Sequence, residues 1–385
     1  MPHLIPVLLR TLLMLTVVLI ATPTLAANYL VNNTGSAPDA ANDGVCDANP
    51  ALGNQDVCTL AAAIGQANRV VGPPHNITFA AAITAITLTQ GLPSITAPVI
   101  INGFNASAVG QRVDINGGGL PGSFDFSSAS TIPNPNGAQG STIMNLVIRN
   151  FNDNGISLSG HNYTVTNCYI GVMPTGETAS PNVGDGISVS GVKPRLPAIP
   201  DLPGGFDFDP AQIAAQLITL FSSIPPNTIA NNLISGNTGD GIEIFGQNTA
   251  LNWVTLNRIG TDKDGTDSIP NGNAGGGQHA GVRINSTAYA NIIGPLNLIS
   301  GNNKIDSDDG VDVDTGTVLF PNFIVGNAIG IGASPAADVG NGGSGIVTDT
   351  RPEEDGTQPD NPTNYSLFIV GNVISDNKGA NNNND

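Results

Sequence analysis

The sequence predicts an all-β solenoid built from short parallel strands, and three observations support this fold class. Charged residues make up 11% of the chain and aromatic residues 5%, while 48 of its 385 residues are Gly and 28 are Pro. This composition is typical of short strands joined by many turns rather than of a helical protein. The other two observations are short phrases that recur along the chain, and internal repeats are the signature of stacked architectures.

The first phrase is Gly-apolar-x-apolar, in which apolar and polar residues alternate. This period of two predicts a strand with one buried face. Strands this short cannot bury a face alone, but coils stacked on one another can. The copies are Gly155–Leu158, Gly186–Val189, Gly241–Ile244, Gly281–Ile284, Gly310–Val313 and a frayed Gly345–Thr348.

The second phrase begins with Asn and ends in Ile-Gly or Ile-Ser. After Ile170, Ile259 and Ile329 the next Gly-apolar phrase starts 16, 22 and 16 residues later. After Ile234 and Ile299 it starts only 7 and 11 residues later. Long turns are therefore expected on one side of the body at every second level. The copies start at Asn162, Asn227, Asn252, Asn291 and Asn322, with a weaker one at Asn364.

An Asn at a fixed corner of each coil has a structural explanation. Asn tolerates left-handed backbone better than most residues, and its amide can hydrogen-bond to the Asn of the next coil. The second phrase therefore predicts an asparagine ladder.

The N-terminus has the pattern of an export signal. His3 and Arg10 precede the apolar run "TLLMLTVVLIA", and "TPTLA" supplies small residues for cleavage after Ala26. The apolar run is short for a membrane span, and no later segment is apolar for long enough to be one. We expect a secreted or cell-surface protein without a transmembrane segment in its mature chain.

The net charge restricts the classes of binding partner, and the cysteines indicate the redox compartment. The net charge of −18, with few and scattered Lys and Arg, disfavours nucleic acid and anionic membranes as partners. Three cysteines fit an oxidising compartment. Cys46 and Cys58 lie in a loop-rich stretch and are expected to form a disulfide. Cys168 lies in an alternating strand pattern and is expected to be a packed core thiol.

A family resemblance rests on the segment that precedes the repeats. "NDGVCD" (Asn42–Asp47) and "CTLAAAIGQAN" (Cys58–Asn68) resemble the Cys-Ser-Leu-Arg-Glu-Ala-Ile (CSLREA) domain that opens many secreted bacterial right-handed parallel β-helix proteins. Ala61 and Ala62 replace the Arg-Glu of that pattern. The repeats resemble those of pectin-lyase-like proteins. The matching residues are Cys58, Leu60, Ile64, Ala67 and Asn68.

The resemblance implies a right-handed parallel β-helix over most of the mature chain. That fold hosts lyases, hydrolases, epimerases and adhesins, so it does not define an activity. The expected organisation is a signal peptide (1–26), a capping segment with the first strands (27–110) and β-helix repeats (111–385) with an insertion at 192–226.

Within the capping segment, Cys58–Asn68 has the pattern of an amphipathic helix that covers the solenoid end. The insertion forms either a short helix from Asp209 or a half-ordered loop. Because the chain reads "SDNKGANNNND" after Ile374, an uncovered last coil is expected.

Strand alternation predicts two outward columns in the Gly-apolar-x-apolar strands, and these supply the candidate site. Glu243 and Arg283 are the candidate catalytic residues, and Phe245, Asn285 and Asp349 the candidate substrate-binding residues. The first column is Ser157, Ser188, Glu243, Arg283, Asp312 and Val347, and the second is Ser159, Ser190, Phe245, Asn285, Asp314 and Asp349.

Polysaccharide lyases of this fold use an Arg or Lys base beside carboxylates that hold calcium. The resemblance therefore implies Arg283 as the base, with Ca²⁺ as a cofactor. The alternative is a solvated ladder in which Arg283 separates Glu243 from Asp312. A second acidic stretch, Asp262–Asp267, is either a calcium loop or an acidic turn, and His161 and His279 are interpreted as turn residues. The candidate calcium ligands are Asp308, Asp309, Asp312 and Asp314.

The sequence thus predicts an exported protein that presents a repetitive acidic face for binding, with polysaccharide or cell-surface glycan as the candidate partner. A calcium-dependent polysaccharide lyase, or a related carbohydrate-active enzyme such as a glycoside hydrolase, is one alternative. A purely structural surface protein is the other.

Overall fold

The computed structural model of the chain is a right-handed parallel β-helix, as the sequence predicts. Three parallel sheets run along its length, and from Val99 onward each described coil passes through sheets 1, 2 and 3 in turn. The structure describes residues 25–41, 45–48, 57–128, 134, 136–191, 225–247, 249–272, 279–302, 308–315, 321–334, 337–348 and 367–378.

The sheets are defined by their described strands. Sheet 1 consists of Asn28–Val31, His75–Phe79, Val99–Asn102, Thr142–Met144, Thr164–Thr166, Asn227–Ala230, Asn252–Thr255, Ile292–Ile293, Asn322–Val325 and Leu367–Val370. Sheet 2 consists of Ala85–Thr87, Val113–Asn116, Leu146–Arg149, Tyr169–Ile170, Leu233–Ile234, Arg258–Ile259, Leu298–Ile299, Ala328–Ile329 and Val373–Ile374. Sheet 3 consists of Phe124–Ser127, Ile156–Ser159, Ile187–Ser190, Ile242–Phe245, Ala280–Asn285, Asp309–Asp314 and Ile346–Thr348.

Each repeated phrase has a definite place in the coil. The Gly-apolar-x-apolar phrase forms sheet 3, and its apolar residues, such as Ile242 and Ile244, are fully buried in the solenoid. The Gly is required by close packing: a Cβ on Gly186 would lie 2.6 Å from the Gly241 carbonyl oxygen and 2.8 Å from Asn237 Nδ2. The Asn phrase forms two strands, one in sheet 1 and one in sheet 2.

The turn between sheets 1 and 2 is a single left-handed residue in the later coils. This residue is Asn in three successive coils and Gly in the last two, both of which tolerate positive φ. In the two coils between them it is Leu256 (φ 59°) and Leu296 (φ 66°). The column is Asn145, Asn167, Asn231, Leu256, Leu296, Gly326 and Gly371.

Replacing Leu296 with Asn is expected to stabilise the fold. A left-handed L-residue costs about 1–2 kcal/mol, which Asn partly relieves, so we expect a gain of about 0.5–1 kcal/mol in the free energy of unfolding. Leu256→Asn should behave in the same way. Chemical denaturation checks this, with Leu30→Asn as the control because Leu30 is exposed on a sheet 1 strand without left-handed backbone. A lower stability of Leu296→Asn than of the unmodified chain would contradict the strain argument.

Asparagine ladders run inside the solenoid at three corners, which confirms the predicted ladder. Asn257 shows the pattern: its Oδ1 accepts from both Asn232 N (2.9 Å) and Asn232 Nδ2 (3.0 Å), and its Nδ2 donates to Asn297 Oδ1 (3.1 Å) and Ile229 O (2.8 Å). The left-handed backbone conformation occurs at the residue before Asn257 and not at Asn257 itself. The ladders are Asn227-Asn252-Asn291-Asn322, Asn232-Asn257-Asn297-Asn327-Asn372 and Asn182-Asn237-Asn271-Asn302-Asn341-Asn377.

The long turns lie between sheets 2 and 3 and stack at every second level, as the spacing predicts. Lys263 N donates to Gly176 O (2.9 Å), and Ala333 N donates to Gly265 O (2.8 Å). Each long turn thus reaches across the short-turn coil to the next long turn. Val172 and Ile269 of these turns pack with Leu233 of sheet 2 into a small second core, with Tyr169 against it.

The N-terminal end is covered by a helix, Leu60–Ala67, whose N-cap Thr59 accepts from Ala62 N (3.0 Å). The helix packs against the first two strands of sheet 1. It was predicted to be amphipathic, but it is buried on nearly every side, Ala61 and Ala62 included. Small alanines fit this enclosed position, where a charged pair would be costly to bury.

The cysteines are as predicted. Cys46 and Cys58 form a disulfide beside the helix. Cys168 is a buried free thiol, and burial raises its pKa to about 12. It is therefore a packing residue without thiolate character.

Four features of the sequence lie outside the described residues. They are residues 1–24 of the signal peptide, residues 192–224 of the insertion, Asp349 and the start of the weaker Asn phrase at Asn364. In the described part of the chain, no helix has the length and apolar character needed to span a membrane. The predicted domain boundaries stay a prediction.

Candidate functional site

The outer face of sheet 3 carries two columns of polar side chains in register. Ser188 lies opposite Glu243, Glu243 opposite Arg283, and Arg283 opposite Asp312. In the second column Ser190 lies opposite Phe245, and Asn285 opposite Asp314. Strand alternation forces this arrangement because the intervening Ile and Val side chains fill the core. The N-terminal coils extend the columns with Asp125, Ser127, Ser157 and Ser159.

Glu243 forms a carboxyl pair with Asp185. Its Oε1 accepts from Asn285 Nδ2 (3.0 Å), and its carboxylate shares a hydrogen bond with the Asp185 carboxyl. Asp185 Oδ1 also accepts from Asp240 N (2.8 Å). Burial, followed by the negative charges of Asp240 and Glu243, raises the pKa of Asp185 to about 8. Two adjacent carboxyls in a poorly solvated site share a proton in this way, so Asp185 holds one at neutral pH.

Asp240 and His279 continue the site along the turn that precedes sheet 3. Asp240 Oδ1 accepts from Ala280 N (2.6 Å), and His279 Nδ1 lies 3.7 Å from the same oxygen. The neighbouring Asp240 carboxylate raises the pKa of His279, opposed by the burial of the imidazole and assisted by the charges of Asp308 and Asp185. His279 was interpreted as a plain turn residue, whereas it lies within this carboxylate cluster.

Arg283 forms an ion pair with Asp312, with 3.5 Å between Nε and Oδ2. The Arg283 side chain is 21% exposed and the Asp312 side chain 9%. The ladder interpretation assumed a solvated Arg283, but most of this pair is withdrawn from water.

Three of the four candidate calcium ligands have separate partners. Asp308 Oδ1 accepts from His279 N (3.1 Å), Asp309 Oδ1 accepts from Ser344 N (2.6 Å), and Asp312 pairs with Arg283. Burial raises the pKa of Asp309 to about 6. Asp314 occupies the second outward column. Among the described residues, no three His, Cys, Asp or Glu side chains are arranged to hold a metal ion.

Asp262 likewise has a structural role. Its Oδ1 accepts from Thr266 N (2.7 Å) and Asp267 N (3.1 Å), which closes the long turn. Its pKa is lowered by these backbone hydrogen bonds against the opposing effect of burial.

Sequence reasoning missed Asp185 and Asp240. Each immediately precedes the Gly of a sheet 3 phrase, in "GDGISV" and "GDGIEI", and Asp309 precedes the Gly of "DDGVDV". A column of Asp one position before the repeated Gly was therefore visible in the aligned phrases. Each of these carboxylates accepts a backbone N–H from the next coil, which fixes it at the edge of sheet 3.

In comparisons with known proteins, the chain matched no family model and no curated protein sequence. The fold and the site define it as a right-handed parallel β-helix protein whose sheet 3 carries a row of hydroxyl, amide and carboxyl groups. These groups can donate and accept hydrogen bonds along a repeat of about 4.8 Å between coils.

Proposed function

We propose that this protein is an exported, surface or extracellular β-helix that binds glycans on the outer face of sheet 3. The observation that carries the proposal is the register of that face: Ser, Asn and carboxyl groups recur coil after coil, with Phe245 among them. Sugar hydroxyls pair with such groups, and the apolar face of a sugar ring packs on an aromatic side chain. A linear ligand can therefore repeat the same contacts along the solenoid axis.

Export and family membership are parts of the same proposal. The signal-like N-terminus and the Cys46–Cys58 disulfide beside a buried helix support a secreted, pectin-lyase-like β-helix with a CSLREA-type opening segment. Mass spectrometry of the exported protein tests this part, because a mature N-terminus near Ala27 is expected.

The charge of the outer face of sheet 3 restricts the class of glycan that it can bind. On the described strands of sheet 3, Glu243, Asp312 and Asp314 face outward, and Arg283 is the one basic residue among them. Like charges repel in a partly desolvated site, so neutral or amino-bearing glycans are favoured over uronates. This argues against the uronate lyase that the resemblance raised.

A screen of neutral, amino-bearing and uronate oligosaccharides tests the proposal. We expect binding within the first two groups and at least a tenfold loss, about 1.4 kcal/mol, in Asn285→Ala and in Glu243→Gln. The first removes a hydrogen-bonding amide from the face, and the second replaces a charged hydrogen-bond acceptor with a neutral, weaker one. Thr228→Ala is the matched control because Thr228 is half-buried on the outer side of sheet 1. No binding in any group, or equal losses in Thr228→Ala, would refute the proposed site.

A further inference from the structure

The nitrogen of Ala27 lies at the boundary between the signal peptide and the fold. The first strand of sheet 1, Asn28–Val31, begins directly after Ala27. Leu25 is 83% exposed, whereas Ala27 is partly buried and packs against the core. Asn76 N donates to Ala27 O (2.8 Å), so the carbonyl group of Ala27 already belongs to the sheet. The chain therefore enters the fold at the residue that follows the expected cleavage point.

A buried histidine accepts a hydrogen bond from this nitrogen. His75 is fully buried in the second strand of sheet 1, and its Nδ1 accepts from Ala27 N (3.1 Å). Its Nε2 lies 3.1 Å from Val70 O. A carbonyl oxygen only accepts hydrogen bonds, so Nε2 carries the ring proton and Nδ1 presents a lone pair. A buried Nδ1 of this kind requires a donor, and Ala27 N supplies it.

The same contact holds the strand that connects the capping helix to sheet 1. Asn28–Val31 pairs with His75–Phe79, and its inward side chains, Tyr29 and Val31, are buried. The ring of Tyr29 meets the imidazole of His75 edge-on, with 6.4 Å between ring centroids. The capping helix packs against both strands. A donor fixed at Ala27 N therefore fixes the outermost strand of the sheet.

We propose that His75 is the binding site for the α-amino group of the mature chain. This inference rests on the removal of the signal peptide, which is part of the proposed function. Hydrolysis breaks the bond between the Ala26 carbonyl carbon and Ala27 N, and water supplies a hydroxyl to the carbon and a hydrogen to the nitrogen. The new α-amino group is mostly protonated at neutral pH and holds its proton more tightly than an imidazole does. It therefore donates to the neutral ring as an ammonium.

The exchange of an amide for an ammonium has a chemical consequence. A hydrogen bond from a charged donor is stronger than one from a neutral amide. Its remaining hydrogens can be solvated, because Ala27 is only partly buried. A nitrogen that keeps its proton has no lone pair with which to attack an acylating reagent. The docked α-amino group is therefore expected to resist acylation.

Acylation of the secreted and processed protein tests the inference. Intact mass first identifies the N-terminal residue, and an N-hydroxysuccinimide ester of acetate then labels amines at neutral pH. Peptide mass spectrometry follows the α-amino group of Ala27 relative to exposed Lys378, the internal reference. We expect the α-amino group to react at least about tenfold more slowly in the native protein than in the same chain unfolded in urea, since hydrogen bonds of charged groups are among the stronger ones.

A chain that begins one residue earlier, at Ala26, is the matched control. Its α-amino group lies beyond His75, while its Ala27 N–H keeps the contact seen in the structure. We expect its α-amino group to lose the protection against acylation. Equal protection in the chains that begin at Ala26 and at Ala27 would overturn the inference.

His75→Phe provides a second test, because Phe retains the ring and removes both nitrogens. We expect the α-amino group of this variant to react at least about tenfold faster than that of the unmodified chain. If the variant does not fold, the comparison of the two chain lengths decides on the unmodified sequence. Rapid labelling of a native chain that begins at Ala27 would overturn the docking alone. A retained signal peptide, or a mature chain that begins elsewhere, would also overturn it and is recognised separately by intact mass.

Discussion

Asn257→Ala is expected to lower the free energy of unfolding by about 3 kcal/mol, because a buried donor or acceptor left without its partner costs about 1–3 kcal/mol. Asn257 is fully buried in the middle of its ladder. The substitution removes the acceptor of Asn232 N and Asn232 Nδ2 and the donor to Ile229 O. These groups lie inside the solenoid, where water does not replace the lost amide.

Urea denaturation monitored by circular dichroism measures this effect. Asn28→Ala is the matched control, because Asn28 accepts from Asn76 Nδ2 in an exposed pair at the end of sheet 1. Its loss should cost only a few tenths of a kcal/mol, as water replaces the exposed amide. Equal losses in the two variants would mean that the inner ladders do not stabilise the coils.

The second large effect is the pH dependence of stability, which Asp185 should dominate. Its pKa is 3.8 in an unfolded chain and about 8 in the fold, so between these values the folded protein holds a proton that the unfolded chain has released. Stability therefore falls as pH rises through this window. Since one pKa unit is worth about 1.4 kcal/mol, the full loss is on the order of 5 kcal/mol once Asp185 is ionised.

Asp309 and His279 act in the same direction. Their pKa values are also raised in the fold, to about 6 for Asp309, so each contributes stability at low pH that is lost as pH rises. We expect the melting temperature to be higher at about pH 5 than at about pH 9, and we expect Asp185→Asn to remove most of that difference. The amide keeps the acceptor for Asp240 N and supplies a donor to Glu243.

Thermal melts across this pH range check the prediction. Asp264→Asn is the control, since Asp264 is exposed and pairs with Lys263 at the surface. The same pH dependence in Asp185→Asn as in the unmodified chain would show that the carboxyl pair does not hold a proton in the fold.

Much of the fold could be predicted from the sequence because every coil of a solenoid repeats the same short sequence pattern. Alternating apolar residues located the strands of sheet 3, and phrase spacing placed the long turns at every second level. The same alternation aligned Glu243, Arg283 and Asp312 in one column. Each of these features depends on residues close together in the chain.

The remaining features depend on which neighbouring residue a side chain contacts. The spacing of residues in the sequence does not determine that contact. Glu243 lies opposite Arg283 as expected, but its carboxyl hydrogen-bonds to Asp185, which lies on the turn of another coil. Arg283 was interpreted as solvated, yet its pair with Asp312 is mostly buried. The left-handed backbone at Leu256 and Leu296 was not predicted, because Asn or Gly ordinarily occupies such positions.

Carboxyl footprinting tests the binding face most directly. Carbodiimide labelling with and without a bound oligosaccharide reports which carboxylates the ligand covers. We expect protection of Glu243 and Asp314 on sheet 3 and unchanged labelling of Glu177 and Asp264, which are exposed on the long turns. Protection of Glu177 and Asp264 with Glu243 and Asp314 still labelled would contradict a glycan site on sheet 3.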